Sequence, residues 1–223
     1  MAKQSQGCYI RRESSVAGST GIIATTTGIA FVAAGNTLTN TAGFAALTTG
    51  MRIKTDSTAN VGILTVKTTG ATAITVYETV SAQASGAPGI SVVGHAMQTI
   101  GEVVSFGGPG LTASVIDVTS LLSTAKEKLV GVYDGGQVSL SVLFNEQASV
   151  VALHDALIRD MTARTKRQFD IVFKGNSTRN TQAVYFGGYV SGFNITGSVD
   201  NAIKADITIA LASGVDFIQP TTT

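Results

Sequence analysis

Between Gln137 and Met161 the spacing of apolar residues changes from every second position to every third or fourth, and this switch constrains the chain more than any other feature. Over Gln137–Asn145, Val138, Leu140, Val142 and Phe144 share one side while Ser139 and Ser141 share the other, with Leu143 the one apolar exception on that second side. A period of two is that of a half-buried strand. From Ala148 to Met161, Val150, Leu153, His154, Leu157, Ile158 and Met161 fall on one helical arc, and Asp155 and Arg159 lie opposite, four apart. Asn145 is placed to cap this helix and Glu146 to favour its positive end. The turn before the strand is Asp134-Gly135-Gly136.

Three more strands follow. Residues 168–174 put Phe169, Ile171 and Phe173 on one face and Asp170 and Lys174 on the other. Residues 183–196 form a long strand that Gly187, Gly188 and Gly192 interrupt, as bulges or sharp coiling do. After a hairpin turn at residues 198–201, residues 202–211 alternate Ile203, Ala205, Ile207, Ile209 and Leu211 against Lys204, Asp206 and Thr208. The expected fold class is mainly β (α+β), an antiparallel β sandwich or barrel with one packed helix on its apolar face.

Charge divides the chain. Residues 21–98 hold only Arg52, Lys54, Lys67, Asp56 and Glu78 and are dense in Thr, Ala and Gly. Residues 1–20 and 99–223 carry the rest, the latter with nine basic and eleven acidic side chains. The shift predicts a small all-β inserted domain at 21–98 within one body formed by 1–20 and 99–223, a body long enough to fold unaided. Short strands are expected at 29–33, 51–55, 61–67, 73–77 and 90–93, with a single helical turn at 43–47.

The same composition excludes several functions. With 44% hydrophobic and 13% charged residues, the chain is not a solvating disordered segment. A formal net charge of +1 lacks the basic surplus that tight nucleic-acid binding needs. No apolar run reaches the roughly 18 residues of a membrane span. Residues 1–6 lead into no apolar signal core, so export is not expected. Two histidines and one cysteine leave no cofactor or metal site in prospect. His154 reads as a packed core or interface histidine, His95 as a surface or hinge residue at the module's exit, and Cys8 as incidental despite Arg11 and Arg12 nearby. Gly107-Gly108-Pro109-Gly110 lacks the Gly-Lys-Ser/Thr ending of a phosphate loop and reads as a turn. Arg164, Lys166 and Arg167 read as a solvated face at the helix's negative end. No enzyme reading survives.

The stretch Ile116-Asp117-Val118-Thr119-Ser120, a polar excursion carrying Lys126-Glu127-Lys128, and the Asp134-Gly135-Gly136 turn occur in order. They are followed by the strand through Asn145, the single helix, Phe169-Asp170-Ile171-Val172-Phe173, Tyr185–Phe193 and Gly197–Ala202. Together they resemble the major tail tube proteins of long-tailed, non-contractile bacteriophages, over roughly residues 100–215 and a short N-terminal piece. The resemblance implies the phage tail tube fold, hexameric rings stacked into a tube with a β-lined channel, and a location in the virion tail after synthesis in the bacterial host cytoplasm. The partners it implies are further copies of the chain, a tape-measure protein, tail-tip and tail-terminator proteins, and viral DNA passing without sequence-specific contact. It also implies that a long loop from Thr119 to Gly135 reaches the adjoining ring, making Thr119, Lys126, Glu127, Lys128, Tyr133 and Asp134 candidates for contact between rings or subunits.

The N-terminal residues 1–20 are expected against a neighbour, and Ser139, Ser141, Asp170, Lys204, Asp206 and Thr208 on the wet face that lines the channel. The 21–98 module is expected on the tube's outer surface, since in the bore or between rings it would block passage or stacking. Two other readings compete. The tube of a contractile, type VI secretion-like injection machine shares the fold, but the insert and the Asp-Val-Thr-Ser loop favour the non-contractile tail. A surface- or carbohydrate-binding β module should present an exposed aromatic cluster, which a chain with no Trp and 6% aromatics is poorly equipped to do.

Overall fold

A computed structural model describes residues 8–14, 24–25, 28–40, 43–44, 47–85, 92–120, 124–144, 148–173, 182–198 and 201–218. Among them lie sixteen strands and one helix. In chain order these are β1 (Cys8–Glu13), β2 (Ala24–Thr25), β3 (Ile29–Val32), β4 (Thr37–Asn40), β5 (Arg52–Thr55), β6 (Ile63–Thr69), β7 (Ala73–Val76), β8 (Val92–His95) and β9 (Met97–Thr99). They continue with β10 (Val103–Gly107), β11 (Thr112–Asp117), β12 (Lys128–Asp134), β13 (Gln137–Leu143), α1 (Ala148–Thr162), β14 (Arg167–Phe173), β15 (Gln182–Ser198) and β16 (Asn201–Ile218). The protein is mainly β, its pairings are antiparallel, and α1 is the one helix among the described residues.

The chain forms two compact units, 1–100 with 168–185 and 216–223, and 101–167 with 186–215. In the first, strands β2-β8-β5-β6-β7-β4-β3 make a seven-stranded sheet from residues 24–95 alone. Its β-branched strands fold around Ile29, Phe31, Leu38, Phe44, Leu47, Ile53, Leu64, Val66, Ile74, Val76 and Val80, all buried. All five strands expected in this region are present within a few residues, and the structure adds β2 and β4. The helical turn expected at 43–47 and the cap expected at Asn145 fall partly or wholly outside the described residues.

The same unit holds β1 between β9 and β14, with Ile10 opposite Ile171 and Arg11 opposite Asp170. The N-terminal piece is thus a strand paired on both sides over residues 11–12. A smaller apolar cluster joins Ile63 of β6 to Val172, Ala183, Tyr185 and Ile218, with Tyr9 and Met97 against it. Ile63 ties the near-uncharged region to strands from both ends of the chain.

In the second unit β13 lies between β10 and β16. Register sets Val138 opposite Ile209, Leu140 opposite Ile207 and Val142 opposite Ala205, so each apolar residue of the alternating strand meets another across the ladder. All six are buried. Leu153, His154 and Leu157 of α1 are buried as well. The expected helical arc is shifted, however. Ile158 is exposed and Asp160 is buried, because Asp160 forms an ion pair with Arg167 at 3.1 Å. Asp155 and Arg159 pair on the exposed side.

β15 and β16 are longer than the alternation suggests, and each runs from one unit into the other. At Gly188 a Cβ would stand 2.7 Å from the Ala210 carbonyl oxygen and 2.8 Å from Ile209 Cγ2, so only glycine lets β15 approach β16 this closely. Gly108, at φ +94, ends β10 where a Cβ would meet the Gln137 carbonyl oxygen at 2.4 Å, and no helix follows it. Gly107 closes β10, and residues 108–110 lead on to β11 without a regular turn or a helix.

Candidate assembly interface

The segment expected as a loop from Thr119 to Gly135 is in its second half a strand. Leu129, Val130, Val132 and Tyr133 have the β-branched and aromatic chemistry of a strand, and β12 pairs with β11 in a two-stranded arm of its own. Val115 faces Val130, Ile116 faces Leu129, and Asp117 faces Lys128. A bulge between Ala113 and Val115 leaves Val132 outside the pairing at 87% exposed. Val115, Ile116, Leu129, Val130 and Tyr133 are all more than half exposed. Apolar groups thus stand uncovered on both faces of the arm.

Both ends of the arm are pinned by short polar residues. Toward its tip the Thr119 hydroxyl donates to Asp117 Oδ1, the Thr119 amide donates to the same oxygen at 3.0 Å, and the Glu127 amide donates to Thr119 Oγ1 at 3.0 Å. The Thr119 hydroxyl, and then its amide, hold the Asp117 carboxyl below its usual pKa. At the base Asp134 Oδ1 accepts the Gly136 amide at 2.9 Å, which fixes the turn into β13. Thr119 and Asp134 therefore shape the arm, while Lys126, Glu127 and Lys128 are exposed at its tip. Tyr133 lines an apolar hollow of about 290 Å³ with Leu111, Thr112, Ala113 and Val215.

The residues expected on a wet face separate into two groups. Ser139, Ser141, Asp206 and Thr208, with Ser105 and Phe106, line an open groove of about 410 Å³ across β10, β13 and β16. Lys204, half-buried, extends the same alternation, and Thr196 donates to Asp206 at 3.4 Å. Asp170 departs from this set. It is fully buried, accepting from Arg11 Nε at 2.9 Å and Arg52 Nε at 2.9 Å, and it forms ion pairs with both arginines. Its side chain belongs to the interior of the first unit, where two guanidinium groups offset the cost of burying its charge.

No known protein-family model matches the chain, and no curated protein matches it in sequence. Solved structures do resemble it. A chain of the virion of a native gene transfer agent particle aligns at 17% identity and a TM-score of 0.44, over 55% of this chain and 88% of that one. The SPP1 tail tube aligns at 12% identity and a TM-score of 0.38, over 55% of this chain and 67% of that one.

His95, Glu78 and Arg167 each have a polar side-chain or backbone partner. His95 is buried rather than at the surface, its Nδ1 2.8 Å from Glu13 Oε1 and its ring 6.4 Å from that of Tyr185. Burial, with the charges of Glu13 and Asp170 next, pushes the Tyr185 hydroxyl well above its usual pKa. Glu78 accepts the Thr65 amide at 2.6 Å and the Thr65 hydroxyl at 2.7 Å, yet burial raises its carboxyl. Burial raises the Cys8 thiol too, the reverse of an activated nucleophile. His154 lies between the rings of Phe144 and Phe193, with centroids at 5.2 and 5.9 Å. Arg167 pairs with Asp160, and Lys166 Nζ donates to the Ala212 carbonyl at 3.2 Å. Among the described residues no three His, Cys, Asp or Glu side chains are grouped to hold a metal, and no helix is long and apolar enough to cross a membrane.

Sequence reasoning missed the apolar surface of the arm. The signal was present in Leu129-Val130-Gly131-Val132-Tyr133, but the charged run before it and the Asp-Gly-Gly after it read together as loop punctuation.

Proposed function

We propose that this chain is the structural subunit of a phage-like tail tube, a virion component that assembles with copies of itself. In the finer form of this reading, hexameric rings stack into a tube whose channel holds a tape-measure protein and conducts DNA. The observation that carries it is the β11–β12 arm. A lone two-stranded ribbon is marginal in water, and this one bares apolar side chains on both faces. Such a ribbon is stable when other protein covers it, and an assembly of identical copies supplies that cover at every position.

In this reading Thr119, Lys126, Glu127, Lys128, Tyr133 and Asp134 meet a neighbouring copy, and Ser139, Ser141, Lys204, Asp206 and Thr208 face the channel. The small, mixed-charge character of that second set suits a wall that must not grip its cargo. The excess of acidic over basic residues in 99–223 acts in the same direction. The sheet of residues 24–95 stands on the tube's exterior.

Electron microscopy and sedimentation of the purified protein test the reading. Hollow tubes of uniform width are expected, with the double variant Val130→Asp, Val132→Asp folded to the same melting temperature but unassembled. A chain that stays monomeric at every concentration, and also on a tail-tip complex offered as initiator, would overturn it.

A further inference from the structure

Head-to-tail assembly needs two unlike surfaces on each copy that fit one another. The second unit carries such a pair at opposite ends of one sheet. The first is the hollow of about 290 Å³ lined by Leu111, Thr112, Ala113, Tyr133 and Val215. It lies at the Gln137 end of β13. Tyr133 immediately precedes the turn into that strand, and Val215 continues β16 beyond Ala210, the partner of Gln137.

The second surface lies past the other end of β13, where Leu143 pairs with Lys204. Ile203 continues the alternation of Ala205, Ile207 and Ile209, all of them 1% exposed or less. On β15 the same face runs through Phe193, Ile195 and Gly197, and a Cβ on Gly197 would stand 3.3 Å from Ile203 Cγ1. Yet Ile195 is 51% and Ile203 49% exposed. The apolar face of the sheet thus runs on past the point where it is covered, and ends as a bare ridge. The seven residues of β13 put roughly 20 Å between hollow and ridge.

We infer that the Ile195–Ile203 ridge of one copy seats in the Leu111–Tyr133–Val215 hollow of the next. The inference rests on the self-assembly reading and names its joint. A second copy is the occupant because shifting a copy along β13 brings ridge and hollow together, and repeating the shift covers both apolar surfaces on every interior copy. A foreign partner at one end would leave the other bare.

The test places Ala113→Cys and Ile203→Cys in one chain in a Cys8→Ser background. Mild oxidation should give a ladder of covalent oligomers on a denaturing gel, whereas either cysteine alone gives none. Ile203→Lys at the ridge and Ala113→Trp in the hollow should each raise the concentration needed for tubes roughly tenfold or more, with unchanged melting temperature of the unassembled chain. Tubes that form with neither a ladder nor a response to these variants would overturn the joint and leave the tube reading standing. A wild-type chain that never assembles would remove both.

Discussion

Asp170 is a fully buried carboxylate held by two arginines from different strands of the first unit. Its carboxylate is shared by Arg11 from β1 and Arg52 from β5, and Arg52 also reaches the Thr65 hydroxyl, which donates to Glu78. Removing one member of a buried ionic group costs more than the pair contributes, because the remaining charges stay buried without compensation. Asp170→Asn should therefore lower unfolding free energy by about 3–5 kcal/mol, measured by urea denaturation. The double variant Asp170→Leu, Arg52→Met should cost less than Asp170→Asn alone; a larger loss would mean that packing, not charge, dominates the site. The alternation of residues 168–174 identified the face of Asp170 correctly but not its burial. Phe169 and Ile171 are buried on one face, and Asp170 and Val172 are buried on the other. A period of two tells which residues share a side; it carries no information about a second layer arriving from residues 52 and 63, more than a hundred positions away.

At the scale of elements, α1 and the arm show what periodicity reads well and what it does not. The helix was legible because three buried positions recur at helical spacing, but its end is set by backbone geometry that no apolar pattern records. The Thr165 amide donates to the Asp160 carbonyl at 2.9 Å and the Arg164 amide to the Met161 carbonyl at 3.2 Å, with Arg164 at φ +53. These paired bonds close the last turn in a left-handed cap that ordinarily takes glycine. Replacing the exposed Arg164 by glycine relieves the Cβ strain at some cost in unfolded-chain entropy. The expected net gain is about 0.5–1 kcal/mol, read as a rise in thermal midpoint, with Arg164→Ala as the control that removes the charge and gains nothing. An equal gain from Ala would assign the effect to charge near Arg167 and Lys166. The arm failed for the opposite reason. Its apolar residues have strand chemistry, but no alternation, because both faces are bare and the bulge at Val132 breaks the period. A strand that waits for cover from another chain has no internal core to impose a pattern on its sequence.

For the molecule as a whole, the near-uncharged region was visible as a shift in composition, and its strands were visible as β-branched runs between turn residues. What composition could not show is how the region is held. The eleven-residue core of residues 29–80 is closed within the region itself, yet Arg52, Ile63 and His95 leave it to bury Asp170, Val172 and Glu13. Replacing residues 21–98 by a short linker thus does more than remove an appendage. It leaves Asp170 with Arg11 alone, Glu13 without its histidine, and the Val172–Tyr185–Ile218 cluster without Ile63. The deletion variant should unfold at markedly lower urea concentration than the full chain, because groups buried by Arg52, Ile63 and His95 lose that cover. If the proposed tube forms, tubes of the deletion variant should be narrower outside while keeping the same bore, because the groove residues Ser139, Ser141, Asp206 and Thr208 all lie in the other unit. A change of bore with no change of outer width would place the region inside the tube, and an unchanged urea midpoint would make its clasp energetically silent.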